Sequence, residues 1–472
     1  MAESKIKEKS TKKLDVKGYS GVYNCHKYWG KKPVELYELI LDEFTETESL
    51  VCDPFVGSGV LPSVCFSRGI SFDGCDLNPA AIEVAKIFIQ PPSKREVKEI
   101  IELIKTTCER KINESYTLKD GTLISHIVWN EAGVDEVWTK VGRATKLVPL
   151  NKSIEKQVQF TNEIKLKFFK DRELHKNSRI NVEEGQMVSD LFTPRALQNI
   201  DYLLGAISTL NERQQRIAKF ILTSSLGQMS RMVFTIGNRR AKKSAEPQKK
   251  YEVGSWVIGY WRPKTYFEIN VWNVFEGRSV RLINSLDDYA IGKDTLPKVT
   301  IKLECEDAVE HLKKMKKESV HLLVTDPPHS DRIPYLELSE MWNTFLGFKS
   351  DLKSEFIYSN SSKREKSLQK YLEKLDDVIK QVGRVLTPGG YFVLIFNTTE
   401  TEVWEAIKKS IQESKEGLQY LGRFSADYSA GSVVQDNREG ALVNDWCLVV
   451  SKGKPSSKFS TNRLPSWTKE WI

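Results

Sequence analysis

Apolar residues recur at helical spacing through Val34, Leu36, Leu39, Ile40 and Phe44, behind a proline suited to a first turn, and predict a helix over 33–44. Residues 50–52 then predict a short strand, 61–67 a helix, 71–75 a second strand and 79–89 a further helix. This alternation is the opening of a parallel sheet with helices on its faces. It stops for about 200 residues. Within that stretch 96–112 predicts an amphipathic helix, 116–160 is rich in β-branched residues and turn formers without a strong period, and 191–234 is helical but interrupted by Pro194. The alternation then resumes with strands at 299–303 and 321–325 and a helix between them at 308–314. A helix at 368–385, a turn at 386–390, a fully apolar strand at 391–396, a helix at 402–411 and a strand at 446–450 complete it.

Removing the interruption leaves about 225 residues, a comfortable size for one α/β domain. The expected organisation is a flexible basic arm (1–20), a first core part (21–90), an inserted α+β domain (91–297), a second core part (298–452) and a tail (453–472). Composition agrees with a globular chain: of 472 residues, 40% are hydrophobic and 28% charged, which excludes disorder throughout. The longest notable apolar run, 391–396, is far below the ~18 residues of a membrane helix, and the Lys-rich start (Lys5, Lys7, Lys9, Lys12, Lys13) has no apolar stretch behind it to make a secretion signal. A cytoplasmic protein without a membrane partner is expected. The seven cysteines are odd in number and lack a C-x-x-C pair, so neither a disulfide framework nor a metal site is expected.

With 71 Lys+Arg against 63 Asp+Glu, the net charge of +8 permits a polyanionic partner without requiring one. Its distribution is more informative. Between 238 and 250, Arg239, Arg240, Lys242, Lys243, Lys249 and Lys250 face a single acid, Glu246. Next comes a segment with Trp256, Tyr260, Trp261, Tyr266, Phe267, Trp272 and Phe275 around Arg262 and Lys264. The basic residues Arg239, Arg240, Lys242, Lys243, Arg262 and Lys264 are expected to contact phosphates. The aromatic run is either the insert's own core or a surface on which bases stack.

Asp53-Pro54-Phe55-Val56-Gly57-Ser58-Gly59 lies where the first strand turns into a helix, the crevice position at which open α/β sheets bind nucleotides. The next strand ends in Asp76, where a carboxylate can accept both hydroxyls of a ribose. The pattern is neither G-x-G-x-x-G nor G-K-[ST], which favours a nucleoside cofactor without a pyrophosphate. Thr325-Asp326-Pro327-Pro328-His329 ends another buried strand. Two prolines bring carbonyls without N–H donors beside a carboxylate, a cluster of acceptors suited to an amino group. Accepting both hydrogens of an exocyclic amine, at Asp326 and the Pro327 carbonyl, would localise its lone pair for attack on a sulfonium methyl.

These motifs resemble the S-adenosylmethionine-dependent DNA amino-methyltransferases, which act on adenine N6 or cytosine N4. Asp53 to Gly59 is similar to their methionine loop, Asp76 to their ribose acid, Asp307 to the acid near the cofactor adenine, and Asp326-Pro327-Pro328 to their catalytic D-P-P-[YFW]. His26-Lys27-Tyr28-Trp29-Gly30-Lys31-Lys32-Pro33 resembles the leading motif that approaches the methionine end of the cofactor, and Leu386 to Gly390 the later L-x-P-G-G turn. The resemblance covers about half of the chain. It implies a Rossmann-like α/β methyltransferase fold with a doubly wound, mostly parallel sheet. It implies S-adenosyl-L-methionine held by Tyr28, Trp29, Lys31, Pro33, Asp53, Pro54, Phe55, Gly57, Ser58, Gly59, Asp76, Leu77, Asn78, Asp307 and Ala308. Asp326, Pro327, Pro328 and His329 would be catalytic. Lys31 and Lys32 are expected to be solvated in preference to catalytic, and Asp331, Tyr335 and Glu337 either line the target pocket or build the next loop.

Two departures stand out. The aromatic that stacks on a flipped base is here His329, and the long insert follows the ribose acid instead of occupying the places usual for target recognition. Cytosine C5 chemistry, which needs a Pro-Cys nucleophile, is excluded because no cysteine follows a proline. The expectation is a DNA adenine-N6 methyltransferase acting on duplex DNA, in restriction-modification or phage defence with a partner from such a system. The alternatives are N4-cytosine methylation, RNA base amino-methylation and a non-catalytic cofactor-binding DNA sensor.

Overall fold

The computed structural model describes residues 14, 16, 18–46, 48–142, 144–238, 249–257, 259–286, 299–329, 333–358, 366–426, 445–455 and 459–472. In chain order the strands are β1 (Leu50–Asp53), β2 (Ser71–Cys75), β3 (Ile124–Asn130), β4 (Gly133–Val141), β5 (Ala144–Leu147), β6 (Thr235–Gly237), β7 (Tyr251–Val253), β8 (Tyr266–Ile269), β9 (Ile301–Glu304), β10 (Val320–Thr325), β11 (Leu386–Phe396), β12 (Leu418–Ala426) and β13 (Asp445–Lys452).

Seven of them form the main sheet in the order β12-β13-β11-β10-β1-β2-β9. All run parallel except β13, which is antiparallel to both neighbours. The chain winds outward from β1 to β2 and β9, then returns to β10 on the other side of β1, which makes a topological switch point between β1 and β10. This is a Rossmann-like α/β arrangement. Alternation along the strands divides its side chains between two faces. Val51, Leu322, Val324, Val393 and Val449 join one hydrophobic cluster, with the helices Val34–Phe44, Val60–Ser67 and Pro79–Ile89. Cys52, Leu323, Phe392, Leu394 and Leu448 join the other, with Ala308–Lys314, Leu368–Val385 and Thr401–Gln412.

Where boundary signals are local, the elements fall where the pattern predicts them. Asn78 caps the Pro79–Ile89 helix, whose proline occupies the first turn. Asp307 and Ser367 cap Ala308–Lys314 and Leu368–Val385. Three details differ. Pro194 does not interrupt a helix but begins one, Pro194–Ser208, behind the Thr193 cap. The predicted 386–390 turn is absorbed into β11 as an irregularity, with Val320 opposite Leu386 but Leu322 opposite Tyr391. The predicted 96–112 helix continues from Lys94–Ile104 through a π-helical turn, Lys105–Glu109, into Arg110–Glu114.

The 91–297 segment contributes a four-stranded antiparallel sheet, β5-β4-β3-β8, and the helices Pro194–Ser208, Glu212–Met229 and Val271–Ser285. Val97, Leu203, Phe220 and Phe275 share the first hydrophobic cluster with Ile87 and Phe88, so these helices extend the packing of the first face of the main sheet. A buried ion pair ties the smaller sheet to this layer. Arg195 Nε lies 3.1 Å from Glu268 Oε1, both side chains being at most 2% exposed, and Trp129 Nε1 donates to Glu268 Oε2 at 2.9 Å. Glu268→Ala leaves Arg195 buried without its counter-ion and should cost about 3–5 kcal/mol. A denaturant midpoint unchanged from wild type would show that the pair is not a structural tie.

Candidate functional site

The carboxyl ends of β1, β2 and β10 meet at the switch point. Asp53, 2% exposed, closes β1. Its Oδ1 accepts from Phe55 N at 2.9 Å and from Thr325 Oγ1 at 2.7 Å, joining the ends of β1 and β10. Burial pushes its carboxyl up to about 7, and the charges of Asp326 and Asp76 add to the shift. The loop then folds against β2: Val56 N donates to Cys75 O at 3.0 Å and Gly57 N to Asp76 Oδ2 at 2.7 Å. Gly59, at φ +84, permits the turn into the helix, and a Cβ there would lie 2.3 Å from that of Ala85.

Asp76 is held from both sides, because its Oδ1 also accepts from Asn78 N at 2.8 Å. Burial raises it to about 6, against the lowering effect of those two backbone donors. Asn78 is buried among Tyr28, Ser339 and Asn343, where it caps its helix. Asp307 also caps a helix, with Oδ1 accepting from Val309 N at 2.9 Å, while its Oδ2 lies 2.6 Å from Lys374 Nζ.

The leading motif packs beneath these loops. His26 is buried, with its imidazole pushed down to about 3 by burial, and its Nε2 meets Thr223 Oγ1 at 3.0 Å on the Glu212–Met229 helix. Trp29 stacks on Trp342 at 4.8 Å. Tyr28 stacks on Tyr335 at 6.2 Å, and Pro33 supplies the N-cap of the Val34–Phe44 helix. The expectation that Lys31 and Lys32 are solvated is corrected. Lys31 Nζ donates to Tyr23 O at 2.7 Å and His26 O at 3.0 Å, and burial lowers it to about 8. Lys32 is only 7% exposed and lies 2.9 Å from Asp326 Oδ2 and 2.9 Å from Asp445 Oδ2.

Asp326 therefore sits between two nitrogen donors, since His329 Nε2 lies 2.9 Å from its Oδ1. The His329 ring turns back to this carboxylate and packs edge-on against Phe396 at 4.6 Å. The expectation that the proline carbonyls point free is corrected at Pro328, whose carbonyl accepts from Tyr371 Oη at 2.9 Å.

Together these residues line one cleft that opens to solvent. Of the residues expected to hold cofactor or catalyse, Tyr28, Trp29, Lys31, Pro54, Phe55, Gly57, Ser58, Asp76, Leu77, Asn78, Asp307, Ala308, Asp326 and Pro328 line it. Asp53 and Gly59 support the wall from behind, through the contacts given above. Sequence reasoning missed Lys32, Tyr37, Leu336, Glu355 and Phe356, which line it too. Glu355 is buried, with its Oε1 accepting from Leu336 N at 2.9 Å. It supplies a carboxylate to a helix, Tyr335–Leu346, whose own N-cap, Pro334, has no side-chain acceptor. Burial pushes Glu355 up to about 7, with Asp76 adding to the shift. Phe356 lies 5.4 Å from Phe55 and stacks on Tyr371 at 4.7 Å, building an aromatic wall. Tyr335 and Glu337 belong to this helix and not to a loop, while Asp331 lies outside the described residues.

The expected phosphate contacts are distributed differently. Arg239, Arg240, Lys242 and Lys243 lie outside the described residues. Arg262 lies 3.9 Å from Glu183 and Lys264 2.9 Å from Glu131, both at the surface. In the aromatic run Tyr260, Phe267, Trp272 and Phe275 are core, whereas Trp261 is 42% exposed. Among the described residues no group of three or more His, Cys, Asp or Glu is arranged to hold a metal ion, and no helix is long and apolar enough to cross a membrane.

Four carboxylates, an aromatic wall and a glycine loop thus surround one cleft, an arrangement suited to a cationic ligand carrying a planar ring. Residues 3–87, which hold the leading motif, the glycine loop and Asp76, match the family model described as DNA methylase. The chain is 30% identical over 80 residues to the type II methyltransferase M.MjaII of Methanocaldococcus jannaschii, covering 17% of this chain and 15% of that one. It is 30% identical over 115 residues to the type II methyltransferase M.HpaI of Haemophilus parainfluenzae, covering 24% of this chain and 36% of that one. The chain therefore spans well under half the length of either enzyme. Among solved structures, a Thermus thermophilus protein described as a DNA modification methylase, complexed with S-adenosyl-L-methionine, is similar at 20% identity and a TM-score of 0.18, over 32% of this chain and 57% of that one. The rRNA methyltransferase aviRa of Streptomyces viridochromogenes is similar at 9% identity and a TM-score of 0.26, over 91% of this chain and 89% of that one. At these scores neither structure adds to the argument, and the fold stands on its own strand order. The resemblance to DNA amino-methyltransferases rests on the matched sequence motifs.

Proposed function

We propose that the protein transfers a methyl group from S-adenosyl-L-methionine to the exocyclic amine of a DNA base, adenine N6 in preference to cytosine N4. The observation that carries this reading is the placement of Asp326, at the end of β10, in one cavity with Asp76 and the Gly57 loop, although 250 residues separate the two acids in the chain. The cavity fits the cofactor's chemistry. Asp76 can accept ribose hydroxyls, Phe55, Phe356 and Ala308 offer an apolar slot for the adenine, and Asp76 and Glu355 are counter-ions for a cation. When bound, the cofactor supplies a methyl carbon made electrophilic by a sulfonium. The chain's own residues position and desolvate the amine, Asp326 accepts one of its hydrogens and then takes the proton it releases, and no covalent enzyme intermediate forms. An aspartate before Pro-Pro favours adenine by the family resemblance. The 91–297 segment would choose the target, aided by its basic stretch, and restriction-modification or phage defence is the setting.

Incubation with tritiated cofactor and either DNA or RNA, followed by identification of the labelled nucleoside, tests the reading. Label in DNA as the N6-methylated adenine nucleoside is expected. Label in N4-methylcytosine would change the base, label in RNA the polymer, and label in neither despite cofactor binding would leave a sensor.

The buried acids make cofactor affinity pH-dependent. Asp76 and Glu355 titrate at about 6 and about 7 in the free site, and a cationic ligand favours their ionised forms, so binding releases protons. Affinity should therefore rise as pH increases from 5.5 to 8, by about tenfold for each unit of pKa displaced. Calorimetry in buffers of different ionisation enthalpy would detect the released protons. An affinity flat or falling with pH would remove these acids as counter-ions.

A further inference from the structure

Lys32 has no role in the reading above, yet it stands in the wall of the same cavity and touches the oxygen of Asp326 that His329 leaves open. We infer that Lys32 is a positioning residue for the methyl-transfer carboxylate, an inference that rests on the proposed function.

The geometry is a row of four side chains, Asp445, Lys32, Asp326 and His329, in which each successive pair is 2.9 Å apart. A carboxylate with one polar partner can still turn about its Cβ–Cγ bond. With a nitrogen donor on each oxygen its plane is set, and each oxygen keeps a further lone pair for an incoming amine hydrogen. Lys32 is itself held in place. Pro33, at φ −67, starts the helix directly behind it, and its ammonium lies equally close to Asp445. Asp445 reaches this edge because β13 alone runs antiparallel in the main sheet: the first residue of β13 therefore lies beside the carboxyl ends of the parallel strands, next to the Phe396–Trp446 pairing.

The charge arrangement argues that more than packing is at stake. Burying an ammonium is costly unless it is paired, and Lys32 has a carboxylate 2.9 Å away on each of two sides. Of those two carboxylates Asp326 is the one in the cavity wall, where in the proposed reaction the attacking nitrogen becomes positive. A lysine serving structure alone would have no need to spend its contact on the one carboxylate that faces the reacting amine. The row also gives His329 a function in place of stacking on the base, since its ring is committed to the opposite oxygen of Asp326.

The test uses the full chain, tritiated S-adenosyl-L-methionine and duplex DNA, and measures single-turnover transfer, KM for DNA, cofactor affinity by calorimetry and thermal midpoint. Lys32→Met should lower the transfer rate by about a hundredfold, the scale of a misplaced reacting group, with cofactor affinity and KM for DNA within about threefold of wild type. Lys32→Arg, which keeps the charge, should recover about a tenth of the wild-type rate. Asp445→Asn, which removes one charged partner of Lys32, should lower the rate severalfold without moving cofactor affinity. Undiminished transfer by Lys32→Met, or rate and cofactor affinity lost in equal proportion, would overturn the inference while leaving the function intact. Should Lys32→Met fail to fold, Asp445→Asn decides, and an unchanged rate there overturns it. No label from the wild-type protein overturns the proposed function and this inference together.

Discussion

Asp326→Ala should abolish methyl transfer while leaving S-adenosyl-L-methionine binding within a few fold of wild type. The carboxylate lies at the end of β10 and in the cavity wall, but its own contacts are with Lys32 and His329, and the glycine loop is held by Asp76 and Asp53. Removing it takes away the acceptor that, in the proposed function, aligns the amine, and leaves the cofactor side in place. Losing one aligned electrostatic partner at a reacting centre costs about 10²–10³ in rate, and in the proposed function the same group also takes the proton, so the loss should be at the upper end or beyond. Because Lys32 keeps Asp445 as a partner, the substitution should not strand a buried cation, and the thermal midpoint should fall only slightly. Equal loss of transfer and cofactor affinity would sink the role given to Asp326.

Gly59→Val should be the most damaging single change to the cofactor side. Its φ of +84 is poorly tolerated by a β-branched residue, and the first added carbon would lie 2.3 Å from Ala85 Cβ and 2.6 Å from Ala85 Cα, atoms that cannot move without shifting the Pro79–Ile89 helix. The strained backbone costs about 1–2 kcal/mol and the overpacking about 1–3 kcal/mol more. Relief requires the loop to move away from Asp76, which unmakes the Gly57 N contact and the pocket floor. Cofactor binding should be lost by at least about a hundredfold, with a lowered denaturant midpoint. Binding close to wild type in calorimetry would show that the loop can yield without the pocket.

How far these elements could be foreseen depends on where their signals lie. The Pro79–Ile89, Ala308–Lys314 and Leu368–Val385 helices match their predicted bounds because capping residue and apolar period are neighbours in the chain. The Tyr335–Leu346 helix was not foreseen. Its start is marked by a proline without a side-chain acceptor, and the carboxylate on its first turn comes from Glu355, 19 residues beyond Leu336. Strand β12 was missed as well: Gly422 breaks its register against β13, which blurs the alternation.

The chain by itself determined the α/β alternation, the glycine loop and the ends of β1, β2 and β10 as the places for Asp53, Asp76 and Asp326, because each is written in local spacing. Tertiary structure alone decided which of them share one cavity, that Glu355 and Phe356 complete its wall, and that Lys32 is buried instead of solvated. The physical reason is distance along the chain. A lysine surrounded in sequence by glycine, lysine and proline looks exposed until the sheet order places Asp326 on one side of it and Asp445, 413 residues away, on the other. Burial, pairing and the carboxyl shifts that follow from them arise only when remote strands meet.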